Sequence, residues 1–102
     1  MVDSYVEYNR FDPNVLMKRA EDLGNDWAEK DAAFGMLEDH KKTLEASLII
    51  PELDEGKPTS KALYYAHAKQ EYNEHLIALG KARKEKNLAL VKYNTYKKWI
   101  DL

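Results

Sequence analysis

Cysteine is absent from the 102 residues, which excludes disulfides, thiol nucleophiles and thiolate metal sites. Long hydrophobic runs are absent too. The longest aliphatic run, Leu48-Ile49-Ile50, is far too short to span a bilayer, and the N-terminus has no apolar signal region. These absences lead us to expect a soluble cytoplasmic protein with no membrane partner. There is no glycine-rich phosphate loop and no nucleophile elbow. The three histidines, His40, His67 and His75, lack the spacing of four that places two imidazoles on one helical turn for zinc. Glu71 and His75 are four apart, which reads as a surface hydrogen bond. No pair of Glu-x-x-His motifs suggests a di-iron bundle. The chain therefore reads as a non-enzyme, without metal or cofactor. Proline and glycine are scarce where they would matter most: from Ser60 to Leu102 there is no proline and one glycine, Gly80.

What is present is helix-forming sequence. Charged residues make up 33% and hydrophobic ones 44%, a balance that suits long helices. Residues 59–102 read as one helix, capped at its start by Thr59 or Ser60. Its seam is Tyr65, Tyr72, Leu76, Leu79, Leu90, Tyr93 and Ile100, in steps built from three and four. Arg83, Lys86 and Lys97 interrupt that seam, with stems that can pack while their charges reach outward. A second apolar group, Leu63, Ile77, Leu88, Val91 and Trp99, projects to the opposite side at about 100° per residue. One partner helix cannot cover both sides, so this second group is the candidate oligomer face.

The preceding chain reads as a partner for that helix. Asp12-Pro13 is a helix start, a capping side chain followed by proline in the first turn. Residues 12–48 form the first helix, with Leu16, Ala20, Leu23, Trp27, Phe34, Leu37, Leu44 and Leu48 on its seam. Placing Lys30 and Lys41 in the gaps gives alternating steps of four and three. Gly24, Ala28, Ala32 and Gly35 form a stripe of short residues, either plain surface or a place of close backbone approach. Pro51 is expected to end the helix, and residues 49–58, with two prolines, a glycine and an acidic cluster, to form the return loop. Residues 1–11 form an N-terminal arm, either packed or frayed. The whole predicts one all-α domain, a long antiparallel two-helix hairpin resembling a coiled coil. A turn near Asp54 sets Leu16 beside Lys92 and Tyr93, Leu23 beside Lys86, Trp27 beside Arg83 and Phe34 beside Leu76. So long a two-helix pair encloses little interior, which predicts self-association into a homo-oligomer.

Charge is divided along the chain. Residues 1–58 hold 7 Lys/Arg against 14 Asp/Glu, and residues 59–102 hold 9 against 4. Complementary charge between the two helices is one explanation. A basic surface for nucleic acid is the other, because Lys81, Lys84, Lys92 and Lys98 stand clear of the seam, with Tyr93, Tyr96 and Trp99 interleaved.

The order of features resembles small phage- and prophage-encoded helical-hairpin proteins, whose genes lie near replication, recombination or packaging genes. The likeness rests on the acidic first helix, the Pro58-Thr59-Ser60 helix start and the stretch EYNEHLIALGKARKEKNLALVKYNTYKKWIDL, with Tyr72, Ala82-Arg83, Asn87 and Tyr93 as matching positions. It covers the last half of the chain. The resemblance implies an accessory or assembly role in phage DNA metabolism, in the host cytoplasm, and transfers no catalytic residues. The sequence thus suggests a binding and assembly protein of that kind, with a structural or adaptor coiled-coil protein that has no nucleic-acid role as the alternative.

Overall fold

The computed structural model describes residues 12–100. The predicted arm, residues 1–11, lies outside the described residues. Three helices follow in order: α1 (Pro13–Asp54), α2 (Thr59–His67) and α3 (Gln70–Ile100), with no strand among the described residues. The molecule is a rod of 74 × 21 × 16 Å with a radius of gyration of 22.0 Å. A compact chain of this length would have a radius near about 13 Å.

α1 starts as its sequence predicts. The Asp12 carboxylate accepts a hydrogen bond from the Asn14 backbone N–H at 2.8 Å, and the first helical bond joins Leu16 N–H to the Asp12 carbonyl at 3.0 Å. Its end does not follow the sequence reading. The helix does not stop at Leu48; it carries Pro51 within it and runs on to Asp54. Proline removes one backbone donor, which leaves the Ser47 carbonyl one turn back without its helical partner. Ser47 and Pro51 share an exposed face, so water can satisfy that carbonyl. The residue that ends α1 is Gly56, whose φ of 89° lies in the left-handed region. There the Gly56 N–H donates to the Leu53 carbonyl at 2.9 Å and the Lys57 N–H to the Glu52 carbonyl at 3.3 Å, closing two of the last carbonyls of the helix.

Residues 59–102 are not one helix. α2 begins after Pro58 with no side-chain cap, so neither Thr59 nor Ser60 plays the expected part. It stops at His67, and Ala68 and Lys69 form a break before α3. No proline or glycine marks this break. It is held by Asn73, whose side-chain amide donates to the carbonyls of Lys69 at 3.2 Å and His67 at 3.4 Å. It is held also by contacts to α1: His67 meets Glu45 at 2.8 Å and Lys69 meets Glu52 at 3.7 Å. Ala62 and Ala66, one turn apart, are both 0% exposed. With no side chain beyond Cβ, they let α2 lie close on its neighbour.

α3 then runs antiparallel beside α1. Tyr93 stacks on Trp27, Lys86 reaches Asp31 at 3.6 Å, and the His75 ring nitrogen lies 2.7 Å from the Leu37 carbonyl. This register differs from the sequence expectation by about two to three turns. Phe34 lies under Arg83 and Lys86 instead of Leu76, and Trp27 meets Tyr93 instead of Arg83. The cause is the turn itself. It sits at Gly56, later than assumed, and the break at Ala68 and Lys69 uses further chain before α3 begins. His75 is committed across the interface and not to Glu71 as expected.

Between the helices, Phe34, Tyr72 and Leu79 are buried, while Leu16, Leu23, Trp27, Leu37, Leu44, Leu90 and Tyr93 are half-buried. Leu76 is exposed. Among the described residues no large side chain is fully buried, as expected where two helices share one narrow contact.

Candidate functional site

The contact with α1 fixes which side of α3 remains. Helical geometry turns about 100° per residue, so Tyr72, Leu79, Lys86, Ala89 and Tyr93 face α1 and the opposite side faces away. That outer face exposes Ile77 (73%), Leu88 (52%) and Val91 (60%). Trp99 is also partly exposed and lies against Tyr96, ring centroids 6.0 Å apart. Leu63 does not join them. It belongs to α2, beyond the break, and is half-buried beside the buried Ala62. The sequence pattern grouped it with the face only because it assumed an unbroken helix.

The four lysines singled out for nucleic acid fall on this same face. Lys81, Lys84, Lys92 and Lys98 are all exposed, and none has an ion-pair partner among the described residues. Taken in order, Ile77, Lys81, Lys84, Leu88 and Val91 advance in steps of four and three, the spacing of a helix-packing seam. A shallow hollow opens along it, lined by Gly80, Arg83, Lys84, Asn87, Leu88 and Val91. Gly80 and Asn87 carry no apolar signal, so the seam pattern passed over them. The hollow exists because Gly80 has no side chain and nothing else fills its place within 4 Å.

Complementary charge accounts for part of the basic half of the chain. Lys86 is half-buried against Asp31, with its ammonium 4.4 Å from the centre of the Phe34 ring, and Arg83 covers the same ring at 5.3 Å. Lys69 leans on Glu52. Lys97, expected near the seam, is exposed and has no ion-pair partner among the described residues. The lysines of the outer face are thus left unpaired by the described residues.

A second polar cluster sits at the turn, and the sequence reading missed it. Glu52 is buried, with Lys57 hydrogen-bonded to it and Lys69 nearby. The Lys57 hydrogen bond holds the Glu52 carboxyl below its usual range, although burial acts the other way. Glu52, then Glu55, raise the Lys57 ammonium above its usual value. The signal in the sequence is a Glu followed five residues later by Lys across Gly56, and its role is to fasten the turn.

The histidines stay apart from any metal geometry. His67 stacks on Tyr72 with ring centroids at 4.5 Å, and His40 lies 5.3 Å from His75. Among the described residues no group of three or more His, Asp or Glu could hold a metal ion, and no helix is long and apolar enough to cross a membrane. No family model, curated protein or solved structure matches the chain.

Proposed function

We propose that the protein is a non-enzymatic binding and assembly protein, an antiparallel helical hairpin that works as an oligomer through the outer face of α3. One observation carries this reading: Ile77, Leu88 and Val91 stand exposed on the side of α3 that α1 does not reach, among lysines with no ion-pair partner among the described residues. Large apolar side chains gathered on one face mark an interaction surface. The thin core adds a reason, since a small two-helix unit gains stability by association.

Within that reading the protein serves as an accessory factor of phage DNA metabolism. The resemblance of the last half of the chain suggests this, and Lys81, Lys84, Lys92 and Lys98 supply the charge that phosphates require. The competing reading is an adaptor with no nucleic-acid role. It draws on the same face, because Ile77, Leu88 and Val91 suit a packed helix better than a phosphate backbone.

Labelled single-stranded DNA titrated at about 50 and about 200 mM salt separates the two. Binding that weakens with salt, and weakens again in Lys81→Glu/Lys84→Glu, supports the DNA role. Absence of salt-sensitive binding removes it and leaves the adaptor. Light scattering tests the assembly itself, and a chain that stays monomeric at about 100 μM contradicts it.

A further inference from the structure

What covers the outer face of α3 can be argued from charge. On α1, the side turned away from α3 exposes Glu21, Glu29 and Asp39. None of these acids has an ion-pair partner among the described residues. Met36 and Ile50 are exposed on the same side, together with the short side chains Ala28 and Ala32. The rod therefore carries two faces pointing in opposite directions, one acidic and one basic, each with apolar side chains among its charges.

We infer that the outer face of α3 docks on the outer face of α1 of a second copy of this chain. Lys81, Lys92 and Lys98 meet Asp39, Glu29 and Glu21, while Leu88 and Val91 pack over Ala32 and Ala28. The inference rests on the reading of α3 as an assembly face and names what that face binds. Pairing α3 with α3 of another copy would set lysines against lysines, and like charge across an interface is unfavourable. A polyanion would satisfy the lysines but leave Ile77, Leu88 and Val91 in water.

The levels along the rod agree with this pairing. Within one chain Trp27 stands level with Tyr93, and Phe34 with Arg83 and Lys86. A second copy placed alongside at the same level brings Ala32 beside Leu88 and Ala28 beside Val91. It brings Asp39 toward Lys81, Glu29 toward Lys92 and Glu21 toward Lys98. The alanines offer room where the leucine needs it. Because the two faces differ, each contact leaves another acidic face and another basic face free. Such a head-to-tail contact builds rows of copies, with no fixed pair, unless the row curves closed.

The test is a charge exchange in the full chain. Lys81→Glu/Lys92→Glu/Lys98→Glu makes both faces acidic, and Glu21→Lys/Glu29→Lys/Asp39→Lys makes both basic. All six positions are exposed, and circular dichroism checks that each variant keeps its helices. In sedimentation velocity the wild type assembles, and each variant alone associates at least about tenfold more weakly. An equal mixture of the two, or one chain carrying all six changes, recovers assembly. A wild type that assembles while the mixture does not overturns the choice of α1 as the docking partner and leaves α3 an assembly face. Variants that assemble as the wild type does but lose single-stranded DNA binding overturn it in favour of a polyanion. A monomeric wild type removes the assembly reading as well.

Discussion

Trp27 and Tyr93 stack with parallel rings, 6.4 Å between centroids, and join the N-terminal half of α1 to the C-terminal half of α3. The indole N–H of Trp27 is buried there without a hydrogen-bond partner among the described residues. Trp27→Ala removes the stack and leaves Tyr93 without support, and we expect a loss of about 3 kcal/mol. Trp27→Phe keeps an aromatic ring and removes the unsatisfied donor, so its loss should be smaller by half or more. Urea unfolding followed by circular dichroism measures both. Equal losses for the two variants would show that the indole has a role the stack does not explain.

Gly24 lies under the same Tyr93. A Cβ built on Gly24 would stand 3.1 Å from Cε1 of that ring, whereas one on Gly35 would meet nothing within 4 Å. Gly35→Ala should therefore stabilise the chain by about 0.5–1 kcal/mol through helix propensity alone. Gly24→Val should destabilise it, because branched methyl groups push Tyr93 off Trp27. Thermal melts of the two variants should move in opposite directions, and a shift of both to higher temperature would remove the close approach at Gly24.

Two substitutions at the end of α1 separate the residue that stops the helix from the one expected to. Gly56→Ala forces a Cβ into a left-handed conformation and should cost about 1–2 kcal/mol. Pro51→Ala restores the bond to the Ser47 carbonyl and should raise the melting temperature without adding helix, since α1 already runs to Asp54. A gain in helical circular dichroism in Pro51→Ala would mean that proline ends the helix in solution.

The Glu52 cluster makes stability depend on acid. The hydrogen bond from Lys57 lowers the folded-state value of Glu52 below 4.5. Its contribution is therefore fully present above that unfolded value and is lost as pH falls through the lower folded one. Lys57, raised above 10.5, keeps its part below that value and loses it only in stronger alkali. Melting temperatures taken between about pH 5 and about pH 3 should fall more steeply for the wild type than for Glu52→Gln. Parallel curves would show that Glu52 adds nothing through its charge.

The helices are readable in the sequence where local chemistry decides them. Asp12-Pro13 starts α1, and the spacing of Leu16, Leu23, Trp27 and Phe34 selects the face that meets α3. Ile77, Leu88 and Val91 are legible as a second face because their spacing lies wholly within α3. The break at Ala68 and Lys69 is not legible. It has no proline or glycine, and it depends on Glu45 and Glu52, residues far off in the chain. The register fails for the same reason, since an unnoticed break and a continued α1 each move the levels along the rod. Pro51 misleads because the rule weighs a lost bond and a crowded preceding turn, and on this exposed side water can take up the open Ser47 carbonyl.

The role of the outer face of α3 is tested most directly by sedimentation velocity on the wild type and on Leu88→Asp/Val91→Asp across a range of concentrations. Both positions are exposed, so the variant should keep the circular dichroism and melting temperature of the dilute wild type. The wild-type sedimentation coefficient should rise with concentration while that of the variant stays at the monomer value. A wild type that remains a monomer throughout, or a variant that assembles as the wild type does, would contradict an assembly face on α3.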